Sequence, residues 1–251
     1  MVGQVEKYLL SRIREDGAAH LTLIDPENVT PQSASKIARE AESCQTTAIM
    51  VGGSTLALTS HLDLVLKAVK EVVKIPVILF PNNVTGISQY ADAVWFMSLL
   101  NSSDPFFLVG AQVLGAPIIK KFGLEPIPLG YIVVGEGGSV GVIGRVSPIP
   151  YDKPELVAAH ALAAQYFGMR FVYLEAGSGA KQPVPSDMIR MVKKVIDVPL
   201  IVGGGIRTGE QARKMVSAGA DIVVTGTVVE EHEAKHVIRE LVESIKLSGR
   251  E

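Results

Sequence analysis

PLIVGGGIRTGEQARKMVSAGADIVVTGT, residues 199–227, reads as strand, glycine turn, helix, strand, glycine turn. The apolar run Pro199-Leu200-Ile201-Val202 stops at Gly203-Gly204-Gly205. A helical pattern from Gly209 to Ala218 ends at Gly219, and a second apolar run, Asp221-Ile222-Val223-Val224, stops at Thr225-Gly226-Thr227. Two neighbouring parallel strands therefore end in glycines and hydroxyls. Glycine permits positive φ and close approach of a ligand to the main chain. Such turns expose N–H groups, and exposed N–H groups bind phosphate. In a (β/α)8 barrel the loops after the seventh and eighth strands are a frequent phosphate site. Two tight turns without a ligand are the bland reading; the adjacency of the pair favours phosphate.

The 251 residues match the ~250 typical of such a barrel, so a single domain over 1–251 is expected. A hydrophobic fraction of 47% with few aromatics and abundant glycine suits parallel strands buried on both faces. A net charge of −2 offers no electrostatic footprint for nucleic acid, so an anionic substrate needs local donors or a metal. One cysteine, Cys44, excludes an internal disulfide and any cysteine zinc site, and fits a reducing, cytoplasmic setting. No apolar run reaches ~18 residues, so no membrane span is expected. The beginning VEKYLLSRIRED reads as a charged amphipathic helix and not as a signal peptide.

Outward from the opening stretch, the chain alternates strand and helix. Strands are expected at 20–24, 48–51, 76–80, 93–99, within 127–134, and at 171–174. Helices are expected at 31–43, at 104–121, after Pro154 with Leu156, Ala159, Ala163 and Phe167 on one side, at 187–196, and at the end of the chain. The segment 84–90 is too short for a barrel helix and marks a gap in the helical ring. Residues 135–153 form a long Gly/Pro-rich connection, which in a compact domain is usually functional or mobile. Eight alternations mean an α/β fold: a TIM barrel with an N-terminal helix and an irregular segment after the third strand. A doubly wound open sheet would not place a polar cluster after nearly every strand.

In a barrel those strand ends share one mouth. They bring Asp25, Glu27, Ser54, Thr55, Asn82, Asn101, Ser102, Tyr173, Glu175, Ser178 and Thr227, and no histidine. His20 is placed at the opposite end of its strand, and His61, His160, His232 and His236 on surface helices. Imidazole acid–base chemistry and a histidine-ligated metal are thereby disfavoured. A mouth carboxylate such as Asp25 suits a hard cation shared with substrate phosphates, Mg2+ above all; a turn aspartate is the competing reading. Ser54 and Thr55 open the following helix and suit capping as well as ligand contact. Tyr173 and Glu175 are two apart, so both project to one side of the strand end. A glutamate there is a candidate base or hydroxyl-orienting group, or one half of a structural ion pair.

HLTLIDPE (20–27), VGGST (51–55), SLLNSSDP (98–105), YLEAGSGA (173–180), PLIVGGGIR (199–207) and ADIVVTGT (220–227) together resemble the archaeal geranylgeranylglyceryl phosphate synthases, over almost the whole chain. The resemblance implies a Mg2+-dependent prenyltransferase. Such an enzyme joins the 3-hydroxyl of sn-glycerol 1-phosphate to C1 of geranylgeranyl diphosphate, the first ether bond of archaeal membrane lipids. It further implies Mg2+ at Asp25 and Ser54. It places glycerol phosphate along Tyr173, Leu174, Glu175, Ala176, Gly177, Ser178 and Gly179, with Gly204, Gly205, Gly226 and Thr227 as further phosphate contacts. Glu175 would orient or deprotonate the hydroxyl with help from Tyr173. A prenyl groove is expected between the second and fourth strands, lined in part by Trp95, Phe96 or Phe106 and Phe107. A homo-oligomer, dimer or hexamer, is expected, with room for a transient membrane contact by the lipid product. Bacterial relatives with longer prenyl chains usually depart from EAGSG, which this sequence keeps. The alternatives are such a longer-chain synthase, a phosphosugar isomerase-like barrel sharing the phosphate turns, and a non-catalytic phosphate-binding scaffold.

Overall fold

The computed structural model describes residues 2–53, 59–227 and 234–248. Eight parallel strands close into a barrel in sequence order: β1 (Ala19–Ile24), β2 (Ala48–Val51), β3 (Val77–Leu79), β4 (Ala93–Leu99), β5 (Glu125–Val133), β6 (Phe171–Glu175), β7 (Leu200–Gly203) and β8 (Ile222–Thr225). Pairing of Leu21 with Val224 closes the ring. The helices are α1 (Gln4–Asp16), α2 (Pro31–Ser43), α3 (Thr59–Lys70), α4 (Ala111–Phe122), α5 (Gly138–Ile143), α6 (Pro154–Tyr166), α7 (Ser186–Lys193), α8 (Gly209–Ser217) and α9 (Ala234–Ser248).

Alternation along each strand splits the core into two layers. Leu21, Met50, Ile78, Trp95, Leu129, Phe171, Ile201 and Ile222 fill the lumen. Ile24, Val51, Leu79, Val172, Leu174 and Val202 pack outward under the helices. α1 plugs the bottom of the lumen with Val5 and Leu9. Its first N–H groups have no partner within the helix, and the carboxylate of Glu125 on β5 accepts from two of them, Val5 at 2.8 Å and Glu6 at 2.9 Å. Arg170, just before β6, grips the buried Glu6 through two bonds of 2.6 and 2.7 Å.

After β3 the ring of helices is interrupted, as the short segment predicts: Val84–Gly86 is a single 3-10 turn. The wall is open there as well. β3 and β4 share only the pairs Ile78–Ala93 and Leu79–Val94, whereas β4 and β5 stay paired up to Leu99–Tyr131. β3 gives out at Pro81, which has no N–H to continue a ladder.

The structure corrects one sequence expectation and adds detail to two others. The helix expected at 104–121 is two elements, a π-helical turn at Phe106–Gly110 leading into α4. Gln112 explains the widened turn: its amide donates to Phe107 O at 3.2 Å and to Met97 O on β4 at 2.5 Å. α6 packs through Val157, Ala158, Ala161 and Ala164, while Leu156 is 48% and Phe167 75% exposed. Small side chains win the inner face because the sheet lies close; a Cβ on Gly130 would meet that of Ala164 at 2.6 Å. The 135–153 connection, finally, holds a helical turn, α5, fastened from β4. Asn101 donates to Val133 O and Ser147 O at 2.8 and 3.0 Å, and Ser102 to Gly144 O at 2.6 Å. These two mouth residues thus serve the loop instead of the cavity.

Candidate active site

The barrel mouth holds a polar cavity of about 360 Å³, within the range of ligand sites. It gathers Asp25, Glu175, Tyr173, Ser178, Gly179, Gly204, Gly205, Gly226 and Thr227 from β1, β6, β7 and β8. Leu174 and Ala176 are fully buried in the outer layer, so neither side chain reaches it. The Ala176 N–H is itself taken by Gly203 O at 3.0 Å. Ser54 and Thr55 lie outside the described residues, as does His232.

Glu175 ends β6 and is buried. One oxygen accepts from the Gly177 N–H at 2.6 Å, the other from the Tyr131 hydroxyl at 3.3 Å, and Tyr173 also hydrogen-bonds the carboxylate. Burial pushes the Glu175 carboxyl above its ordinary range, and these three donors oppose the rise. Both tyrosines are pushed well up, chiefly by burial and then by the charge of Glu175, so they remain phenols and donate. Phe80 stacks on Tyr173 at 5.6 Å and meets the edge of Tyr131 at 5.4 Å, fixing both rings. The main chain of β7 must pass very close to this carboxylate. A Cβ on Gly204, which has φ +86°, would lie 2.5 Å from Glu175 Oε1. The GGG turn is therefore required by its neighbour as well as by any phosphate.

Asp25 sits directly over β2, where a Cβ on Gly53 would come within 2.4 Å of its carboxylate. Partial burial raises its pKa, the Glu27 N–H at 3.0 Å opposes this, and the Glu27 charge adds to it. The loop that carries it is held by His61 of α3, whose Nε2 donates to Pro26 O at 2.8 Å and Val29 O at 3.1 Å. His61 is thus a half-buried clamp and not the surface residue expected. His20 lies near the start of β1, as expected, and is buried there. Thr46 at 2.8 Å and Thr225 at 2.9 Å bond its two nitrogens, and burial drives its pKa down to about 3. Across the mouth Ser178 Oγ and Thr227 Oγ1 approach to 3.3 Å. Among the described residues Arg207 is the one cation lining the cavity, and it donates to Gly179 O at 3.4 Å.

An apolar groove leaves this cavity through the opening between β3 and β4. Trp95, Phe96, Met97, Phe107, Ala111, Gly115 and Ile119 line it, and Phe106 does not. Trp95 is fully buried and leans edge-on against Phe171 in the lumen, so it is core and groove wall at once. Gly53, Phe80, Tyr131 and Val140 line both spaces. Sequence reading missed Tyr131 and Phe80, and the signal available was modest: two aromatics near the ends of inward-facing strands.

A closed parallel barrel whose mouth joins glycine turns, a buried and a half-buried carboxylate and an apolar side groove belongs to the TIM-barrel class of enzymes, with room for a polar and an apolar substrate part. The profile of the PcrB family matches residues 11–245, and the chain belongs to that family. It is 55% identical over 251 residues to the geranylgeranylglyceryl phosphate synthase of Thermofilum pendens, covering 100% of this chain and 97% of the relative. It is 56% identical over 245 residues to the same enzyme of Pyrococcus horikoshii, covering 98% and 96%. The crystal structure of (S)-3-O-geranylgeranylglyceryl phosphate synthase from Thermoplasma acidophilum in complex with sn-glycerol-1-phosphate superposes with a TM-score of 0.94. That chain is 43% identical, and the match covers 98% of this chain and 100% of it.

Proposed function

We propose that this protein joins the 3-hydroxyl of sn-glycerol 1-phosphate to C1 of geranylgeranyl diphosphate, forming an ether and releasing diphosphate. The observation that carries this reading is the common wall of Gly53, Phe80, Tyr131 and Val140 between a polar cavity and an apolar groove. A phosphorylated alcohol and a long hydrocarbon are thereby brought to one point. The relatives' names and the glycerol phosphate complex of the Thermoplasma enzyme support the choice of substrates.

In this mechanism the exposed N–H groups around Gly204, Gly205, Gly226 and Thr227 hold the glycerol phosphate, with Ser178 beside them. Glu175 receives the hydroxyl proton as the C1–O bond to the alcohol forms and the C1–O bond to diphosphate breaks. Tyr131 and Tyr173 hold the carboxylate in place, and burial makes it the stronger base. Phe80 and Tyr131 cover the reacting carbon from water. Among the described residues no group of three or more His, Cys, Asp or Glu gathers for a metal. The single carboxylate of Asp25 suits an ion that keeps waters and takes its other ligands from substrate phosphates, as Mg2+ does. Asp25 and Ser54 would hold that Mg2+, which would neutralise charge on the departing diphosphate.

The test is diphosphate release by the purified chain with both substrates and Mg2+. Release that requires both, together with an ether product by mass spectrometry, is expected. Turnover of glycerol phosphate without the prenyl partner would overturn the reading in favour of an isomerase-like barrel.

A further inference from the structure

α4 and the π turn before it have two apolar faces, and only one is covered. Residues 105–119 carry no charged side chain. Ala111, Gly115 and Ile119 face the groove. On the outer side Val113 is 65% and Leu114 57% exposed, and that stripe ends in the exposed pair Lys120 and Lys121. A helix that is apolar all round is normally buried. The opposite rim of the groove repeats the pattern. Val140 and Ile143 of α5 line it, while Val142 is 81% exposed.

We propose that these two rims dock on a lipid bilayer, so that the groove opens into the acyl region. The inference rests on the prenyl-transfer reading of the groove. Exposed apolar side chains stand on both of these rims, beside the groove that the chain of a prenyl diphosphate must enter and the lipid product must leave. A protein partner seated there would seal the outlet. Two exposed lysines with no acid on α4 complement anionic headgroups, and a lysine stem is apolar enough to continue the stripe. A helix with such a face lies in the interface plane, and its binding depends on apolar area and lipid charge together. Among the described residues no helix is long and apolar enough to cross a membrane, so the contact is peripheral.

Co-sedimentation of the full chain with phosphatidylcholine vesicles, with and without phosphatidylglycerol, tests this. Binding is expected to the anionic vesicles and to weaken with salt. Val113→Glu with Val142→Glu should reduce it by about tenfold or more, and Lys120→Gln with Lys121→Gln should remove its salt dependence. Both double variants should turn over a short, water-soluble prenyl diphosphate at the wild-type rate. They should lose rate on geranylgeranyl diphosphate presented in vesicles. Wild type that ignores anionic vesicles overturns the proposal. So do variants whose mass by light scattering falls while vesicle binding is unchanged, because a second copy then covers the face. Failure of the prenyl-transfer reading would look different: wild type would release no diphosphate from either prenyl substrate.

Discussion

Glu175 shows how much a single position discloses and how much it withholds. Its place two residues after Tyr173, at the end of an apolar run, is enough to aim both side chains into the mouth, and the structure brings them together there. Gly177 and Tyr173 hold the carboxylate locally, but its third donor is not local. Tyr131 lies 44 residues earlier and arrives through the register that pairs it with Tyr173. No pattern within PLGYIVV announces that. Asp25 and the glycine turns were legible for the opposite reason, since each stops its own strand. Glu175→Gln keeps size and hydrogen bonding but cannot take a proton, so kcat should fall by roughly 10²–10⁴-fold with little change in KM for glycerol phosphate. Because burial raises the Glu175 pKa, the base is lost as pH falls through a value above the ordinary carboxylate range. The acid limb of the wild-type pH–rate profile should therefore lie high, and the residual activity of the Gln variant should lack it. A retained kcat with a raised KM would reduce Glu175 to a hydroxyl-binding residue. Asp25→Ala should instead abolish turnover and weaken prenyl diphosphate binding while largely sparing glycerol phosphate, as calorimetry with each ligand alone would reveal. Unchanged Mg2+ dependence in that variant would remove Asp25 from the metal site.

Elements were easier to locate than to orient. The β4 range and the start of α2 follow from runs and capping residues, and the structure keeps both. Which side of α6 packs does not follow from bulk, because the contact favours alanine over leucine and phenylalanine. The π turn depends on an amide reaching across to β4, which no period of hydrophobicity encodes. The short segment after β3 was informative because absence of a helix is visible in length alone. Its consequence for the wall, the early end of the β3–β4 ladder, rests on pairing and so was not. Trp95 stands beside that opening with its ring against Phe171. Trp95→Leu should lengthen the longest prenyl diphosphate accepted, read as product chain length from a mixture of substrates. Removing that much buried aromatic volume costs on the order of 3 kcal/mol, so a melting curve should accompany it. An identical chain-length profile with the fold intact would leave Trp95 as core only.

For the whole molecule, the exposed side of α6 and α7 remains to be accounted for. Tyr166 and Phe167 are exposed at the end of α6, with Met191 on α7 and Val195 just after it. Gln165 ties the two helix ends together through the N–H of Asp197 at 2.7 Å. Exposed apolar side chains near two neighbouring helix ends are candidates for an interface, and the expected homo-oligomer would use them. Light scattering should give a multiple of the 26.8 kDa chain, reduced by Tyr166→Glu with Phe167→Glu. A monomeric wild type would leave the face without a second copy. The plug at the other end of the barrel carries a consequence for biosynthesis. α1 precedes every barrel strand in the chain, yet the carboxylate that caps it and the guanidinium that anchors it belong to residues 125 and 170. Those two contacts cannot form until residue 170 has been translated, so the plug is fastened only after most of the barrel has been made.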